Sequence, residues 1–220
     1  MANKTALLIG ATGLVGEQCL QQLLESTTYD KVIAVTRKKL SLENSKLHNV
    51  VMDFDKPEAV KDSLRCDDVY CAIGTTIKKS GSKDAFRKVD YEYPLHLAQL
   101  CLSNGAKRFI LVSSLGADAQ SGVFYSRVKG ELEEALKKLN YETLIILRPS
   151  ILLGNRKEQR PGEAIARFVA EKFSFLFAGP LKQYRGTPVN LLARVMIKTG
   201  TSGFKGIRVL ENNDIFSESV

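Results

Sequence analysis

The chain has little from which to build a metal site. Histidine occurs only at His48 and His96, and the four cysteines (Cys19, Cys66, Cys71, Cys101) include no Cys-x-x-Cys pair and no zinc-ligand spacing. No metal centre is expected, and the thiols are read as reduced and structural. No apolar run approaches the ~20 residues that a membrane helix requires, so no membrane partner is expected. No charged-then-apolar leader precedes the first apolar segment, and the expected address is the cytoplasm. Internal repeats, low-complexity tracts and linkers are also missing. The 220 residues are therefore read as one domain, long enough to bury a sizeable core.

Charge is not balanced. Lys and Arg outnumber Asp and Glu by 32 to 24, for a formal charge of +8, which favours an anionic or phosphate-rich partner. The basic residues are dispersed in short groups (Arg37-Lys38-Lys39, Lys78-Lys79, Lys107-Arg108), with no nucleic-acid motif among them. Nucleic acid is not the expected partner.

Short apolar runs alternate with helical patterns. Strands are expected at Thr5–Ile9, Lys31–Thr36, Val50–Phe54, Val69–Ile73, Phe109–Ser113 and Thr143–Arg148, with a late one at Gly206–Leu210. Helices are expected at Leu14–Glu25, Pro57–Leu64, Lys83–Ser103 (kinked at Pro94), Tyr125–Leu139 and Pro161–Phe177. Without hairpin signals between the strands, this order implies βαβ units: an α/β, Rossmann-type, doubly wound parallel sheet with helices on both faces. The rhythm changes after Gly154, and residues 155–201 are expected to form a substrate-side elaboration. Phe168, Phe173, Phe175 and Phe177 in that stretch are read as buried packing or a subunit contact rather than as ligand-lining residues.

Three motifs carry chemistry. Gly10-Ala11-Thr12-Gly13-Leu14-Val15-Gly16 follows the first strand and opens the first helix. There, glycines let backbone N–H groups approach a pyrophosphate at the positive end of the helix. The second strand ends in Arg37-Lys38, with no acid before Glu43. Basic residues at that place suit a ribose 2′-phosphate, so NADP(H) is favoured over NAD(H). Tyr125 and Lys129, four apart at the start of a helix, lie on one face. A lysine there lowers the tyrosine pKa and makes the hydroxyl a usable acid. A Tyr-x-x-x-Lys pair alone is a weak signal. Its place after the fifth strand, whose end carries Ser113-Ser114, strengthens it.

These residues together resemble the short-chain dehydrogenase/reductase superfamily. The segments CAIGTTIKKSG, VSSLGAD, FYSRVKGELE, LRPSILLGNRKEQRPGE and VLENNDI are closest to an atypical NAD(P)H-binding branch, the Tat-interacting-protein-like or metastasis-suppressor-like proteins. The similarity covers nearly the whole chain. It implies cofactor contacts at Thr12, Gly13, Leu14 and Val15 within the loop framed by Gly10 and Gly16, and at Arg37 and Lys38. It adds Ile73, Gly74, Leu152 and Arg160. Tyr125 would exchange the proton, Lys129 would hold the nicotinamide ribose, and Ser114, with Ser113 as the alternative, would polarise the substrate oxygen. Asp90 departs from the resemblance, because related extended enzymes usually carry Asn there. The function implied is reduction of a carbonyl, or oxidation of an alcohol, on an unnamed small molecule. The other function implied is a non-catalytic NADPH-binding regulator acting through a protein partner.

Overall fold

The computed structural model describes residues 4–154 and 183–219. Seven strands form one sheet in the order β3-β2-β1-β4-β5-β6-β9. They are β1 (Lys4–Ile9), β2 (Tyr29–Thr36), β3 (Leu47–Val51), β4 (Asp68–Cys71), β5 (Arg108–Val112), β6 (Thr143–Arg148) and β9 (Gly206–Glu211). Every pair in the sheet is parallel. A second, two-stranded sheet joins β7 (Leu152–Leu153) to β8 (Thr187–Pro188).

The period-2 alternation of the strands sorts their side chains onto two faces. Ala6, Leu8, Val32, Ala34, Ile110 and Ile145 pack with Val15, Cys19 and Leu23 of α1 (Leu14–Glu25). Leu7, Ile9, Ile33, Val35, Leu111 and Ile146 face the other way. They meet Leu97 and Cys101 of α4 (Tyr93–Ser103), and Leu132 and Leu136 of α5 (Phe124–Lys137). Both faces of the central strands are thus covered, which is why these strands read as nearly continuous apolar runs. The chain leaves β1 first towards β2 and later towards β4. Strand order therefore reverses between β1 and β4, and such a reversal opens a crevice at the carboxyl ends of the two strands.

The structure corrects several expected boundaries. The third strand ends at Val51 rather than Phe54, because Asp53 accepts the Asp55 N–H at 3.0 Å through its side chain and the Lys56 N–H at 3.0 Å through its carbonyl. That turn removes the chain from the sheet while Met52 and Phe54 stay buried. The long helix expected over Lys83–Ser103 is broken into α3 (Lys83–Arg87), a π turn at Lys88–Glu92, and α4. Pro94 causes the break one turn earlier than its own position, since its ring clashes with the carbonyl four residues back, at Asp90. A short helix α2 (Ile77–Ser80), capped by the Thr76 hydroxyl, was not expected. Residues Val189–Thr201, inside the stretch expected to build the substrate side, form helix α6. Its buried Leu192, Ala193 and Met196 join the core against α1.

At the amino-terminal edge of the sheet a buried polar knot ties three strands together. Asp68, fully buried, accepts the Tyr29 hydroxyl at 2.7 Å and meets the Arg108 guanidinium at 2.9 Å. The Tyr29 and Tyr70 hydroxyls share a further bond at 2.8 Å. Burial pushes the Tyr29 and Tyr70 hydroxyls, and that of Tyr141, well above the usual tyrosine range. All four cysteines are buried and unbridged. Burial also pushes the Cys19 thiol up beyond the ordinary range and the Cys71 thiol up to about 12.

This burial makes stability fall with rising pH. Between the ordinary ionisation values, 9.0 for thiols and 10.0 for tyrosines, and the raised folded-state values, the unfolded chain releases protons that the folded chain keeps. The folded state then binds more protons, and each such group removes up to ~1.4 kcal/mol of stability per pH unit. Urea midpoints should hold steady below about pH 8.5, then drop with a steepening slope towards about pH 11. A flat series would contradict the burial of these groups.

Candidate active site

The crevice between β1 and β4 is where the glycine loop sits. β1 ends at Ile9, and Gly10 follows with φ +91°, a backbone conformation that a side chain disfavours. A Cβ on Gly10 would lie 2.7 Å from the Ala72 carbonyl carbon and the Ile73 nitrogen, so the loop rests directly on the chain leaving β4. The Gly13 N–H donates to the Gly10 carbonyl at 2.9 Å and closes the turn. A Cβ on Gly16 would lie only 1.9 Å from that same carbonyl oxygen. The first turn of α1 is therefore pressed against the loop as only glycine permits. Gly13 caps α1 with no side-chain hydrogen bond, and Thr12 is exposed beside it. A helix N-terminus left without a side-chain cap at a topological switch point fits an anionic pyrophosphate.

Around this loop the other expected residues are distributed unequally. Arg37 and Lys38 are exposed in the turn after β2. That turn is held by the Thr36 hydroxyl, which donates to the Lys38 carbonyl at 2.8 Å, and by Asn49 of β3, whose amide donates to Thr36 Oγ1 at 2.8 Å. Ile73 and Gly74 leave β4 next to Gly10. Leu152 lies in β7 and packs against the core on the α1 side. A cleft lined by Leu14, Glu17, Gln18, Leu153 and Gly154 joins the start of α1 to this segment. Arg160, and the phenylalanines at 168, 173, 175 and 177, lie outside the described residues.

The second half of the site is built on α5. Tyr125, in its first turn, is part-buried with its ring 5.4 Å from that of Phe86. Lys129, one turn on, is buried, and its ammonium meets Asp90 Oδ1 at 2.7 Å. The other Asp90 oxygen accepts the Thr75 N–H at 2.8 Å. Burial disfavours the ammonium, but the charge of Asp90, with a contribution from Tyr125, more than offsets it and leaves Lys129 above the usual lysine range. A Cβ on Gly74 would lie 3.6 Å from Lys129 Nζ. The chain leaving β4 thus passes Gly10 at Ala72 and Ile73 and, two residues on, binds through the Thr75 N–H the carboxylate that pairs with Lys129.

The two serines after β5 have different surroundings. Ser113 is buried and donates its hydroxyl to Glu133, while Ser114 is only part-buried and donates a long 3.3 Å bond to the Leu115 carbonyl. Glu133 is itself 1% exposed. It is gripped by Arg148, which also reaches Glu211 at 2.8 Å. Asn212, fully buried, accepts from the Ser150 N–H and the Thr187 hydroxyl and donates to the Gln183 and Arg185 carbonyls. The late VLENNDI segment thus supplies the residues that fasten the chain returning at Gln183. Sequence reading assigned no role to Glu133, Arg148 or Asn212. For Glu133 a signal existed: it falls in the apolar stripe Val128, Leu132, Leu136 of α5, where an acid needs a partner.

Among the described residues no group of three or more His, Cys, Asp or Glu could hold a metal ion, and no helix is long and apolar enough to cross a membrane.

Comparison with known proteins agrees with this geometry. The family model described as NAD(P)H-binding matches residues 10–166. Protein HTATIP2 of Rattus norvegicus is 36% identical over 98% of this chain and 89% of its own length. The mitochondrial protein FMP52-1 of Scheffersomyces stipitis is 36% identical over 86% of this chain and 80% of its own. Among solved structures, MoeE5 with UDP-glucose and NAD superposes with a TM-score of 0.72 at 17% identity, covering 98% of this chain and 80% of that one. An oxidoreductase of the short-chain dehydrogenase/reductase family from Burkholderia thailandensis gives 0.71 at 18% identity, covering 98% and 94%. The expected cytoplasmic address is corrected by these relatives, because several fungal ones are named as mitochondrial proteins. Addresses are read from short segments by receptors, so the composition of a folded domain does not report them. By family model and by curated relatives the chain belongs to the NAD(P)H-binding family that its match over residues 10–166 describes, and its fold is the one seen in structures of short-chain dehydrogenase/reductase enzymes.

Proposed function

We propose that this protein is an NADPH-dependent oxidoreductase that interconverts a carbonyl and an alcohol on a small molecule. The observation that carries the reading is the chain leaving β4, which passes the glycine loop at Ala72 and Ile73 and, at Thr75, binds the carboxylate paired with Lys129 on the helix that bears Tyr125. This supports a pyrophosphate cradle and a proton donor sharing one crevice. Residues 1–220 then act as one domain.

Each residue has a defined task in this reading. The N–H groups at Thr12 to Val15 hold the pyrophosphate, with Gly10 and Gly16 permitting the close approach. Arg37 and Lys38, solvent-facing at the end of β2, engage the 2′-phosphate that distinguishes NADPH. Ile73, Gly74 and Leu152 border the nicotinamide end, and Lys129 donates to its ribose. When bound, the nicotinamide supplies a hydride, with its electron pair, to the carbonyl carbon. The Tyr125 hydroxyl gives its proton to the oxygen as the C=O π bond breaks, and regains one from solvent. Ser114, whose own hydrogen bond is long, polarises that oxygen. Ser113 is already committed to Glu133.

Three outcomes test the assignment. Tyr125→Phe should lower NADPH-dependent turnover of an accepted aldehyde or ketone by ~10²–10⁴-fold, with NADPH affinity kept within a few-fold by fluorescence titration. If NADPH binds tightly and a broad carbonyl panel shows no turnover, the protein is a cofactor-binding regulator instead. Arg37→Ala should weaken NADPH by ~10–100-fold, the worth of a charge-assisted bond, and leave NADH nearly unchanged; equal losses would sink the NADP preference. Gly16→Ala should abolish binding of both dinucleotides and lower the melting temperature, and normal affinity in that variant would remove the loop from the cofactor site.

A further inference from the structure

The turn that carries Arg37, Lys38 and Lys39 is built more firmly than an exposed basic loop needs. These three residues are exposed and consecutive, with no acid before Glu43. Like charges in succession repel, and an unrestrained loop would spread them. Here one side chain, Asn49 of β3, ties the loop at both ends. In the parallel register of β2 and β3, Asn49 lies opposite Ala34. Its amide nitrogen donates to the Ala34 carbonyl at 2.9 Å and to Thr36 Oγ1 at 2.8 Å, and its amide oxygen accepts the Leu40 N–H at 2.7 Å. The buried Thr36 hydroxyl, having accepted from Asn49, donates to the Lys38 carbonyl at 2.8 Å. At the exit the Leu40 side chain packs against the core on the α1 side. Thr36 and Leu40 thus bracket residues 37–39, and a single amide closes the bracket. The direction of each bond follows from the groups available: the amide nitrogen can only donate and meets two acceptors, and the amide oxygen can only accept and meets a backbone N–H. Neither a flipped amide nor an aspartate satisfies all three. Asparagine is disfavoured inside strands, so its half-buried place in β3 calls for a role that sheet building does not supply.

We propose that Asn49, acting through Thr36, is a positioning residue for the cofactor: it preforms the Arg37–Lys38 turn as a receptor for a phosphomonoester on the ribose, and so sets the preference for NADPH over NADH. The proposal rests on reading Arg37 and Lys38 as the 2′-phosphate contacts, and adds what makes them selective. Long basic side chains on a loose loop lose conformational freedom, together with their backbone, when they close on an anion, and that loss weakens binding. A backbone already fixed from Thr36 to Leu40 leaves less to be ordered when the ligand arrives. The Thr36 hydroxyl contributes in a second way. It points the Lys38 carbonyl at a buried side chain, which turns the negative end of that peptide away from an approaching anion. NADH carries a hydroxyl where NADPH carries the phosphate, so its affinity does not depend on how well this turn is formed.

Calorimetric titration of the full chain tests the idea without turnover. The probes are NADPH against NADH, and adenosine 2′,5′-bisphosphate against adenosine 5′-monophosphate. Wild type should bind the 2′-phosphorylated member of each pair more tightly. Asn49→Leu and Thr36→Val should each weaken NADPH and the bisphosphate by ~5–30-fold, through the renewed ordering of two long side chains, and should change NADH and the monophosphate by less than about twofold. Thr36→Ser keeps the hydroxyl and should keep the preference. Thr36→Val preserves the shape of the buried side chain, so it provides the reading if Asn49→Leu fails to fold. Equal losses for both members of a pair would show that the clamp merely supports the fold, and an unchanged preference in Thr36→Val would remove it from the cofactor site; either result overturns the proposal. The underlying reading fails in a different way. A wild-type protein without preference, or an Arg37→Ala variant that keeps it, would undo the 2′-phosphate assignment and the clamp with it. A preference lost in Arg37→Ala but kept in Thr36→Val would undo only the role given to Asn49 and Thr36.

Discussion

The close approach of α1 to the end of β1 is the constraint on which the site depends. With a Cβ on Gly16 falling 1.9 Å from the Gly10 carbonyl oxygen, no other residue type at position 16 lets the helix begin where it does. That placement sets the N-terminus of α1 over the reversal of strand order, next to Ala72 and Ile73 at the end of β4. The dinucleotide site, the path to Gly74 and the approach to Lys129 all follow from it. The loop is thus a packing contact between helix and sheet, and in the proposed function the same glycines also cradle an anion.

Charge inside the molecule is concentrated at the ends of the strands. Asp68 with Arg108 and two tyrosines fastens the amino-terminal edge of the sheet. Asp90 with Lys129, and Glu133 with Arg148 and Glu211, lie towards its carboxyl ends. Buried ionic groups are costly to desolvate and are tolerated when paired and hydrogen-bonded. The amino-terminal knot satisfies that condition with hydroxyls and a guanidinium. The Asp90 carboxylate satisfies it with the Lys129 ammonium at 2.7 Å on one oxygen and the Thr75 N–H at 2.8 Å on the other. Of the paired carboxylates of these knots, Asp90 is also the one that reaches the lysine of the crevice. The Glu133 knot has a supporting role. By taking the Ser113 hydroxyl it leaves Ser114 as the serine with spare capacity at the end of β5.

Much of this was legible in the residues. The glycine spacing, the alternation of short apolar runs with helices, and the Tyr125–Lys129 interval required only periodicity and local stereochemistry to be read, and the parallel sheet has the strands expected, including the late one at Gly206. The errors had local causes. The end of β3 was misplaced because Met52 and Phe54 stay buried after the chain has left the sheet, so burial outlasted the strand. The helix through Asp90 was expected to bend at Pro94, whereas the strain of a proline falls on the carbonyl a turn before it. Helix α6 was missed because the change of rhythm after Gly154 hid the spacing of Leu192, Ala193 and Met196. The expected cytoplasmic address failed for a different reason, because nothing in the packing of a domain encodes destination.

The sequence by itself determined the order of the strands in the chain, the glycine loop, and the residue types available for chemistry, because each rests on contacts between neighbours along the chain. The tertiary structure alone decided which charges meet. Asp90 and Lys129 are 39 positions apart, and Glu211 is 63 from Arg148. No local rule pairs such residues; the sheet does so by bringing the ends of distant segments to one edge. For the glycine loop the two sources coincide, since the same small residues that mark it in the sequence are the ones that close packing requires.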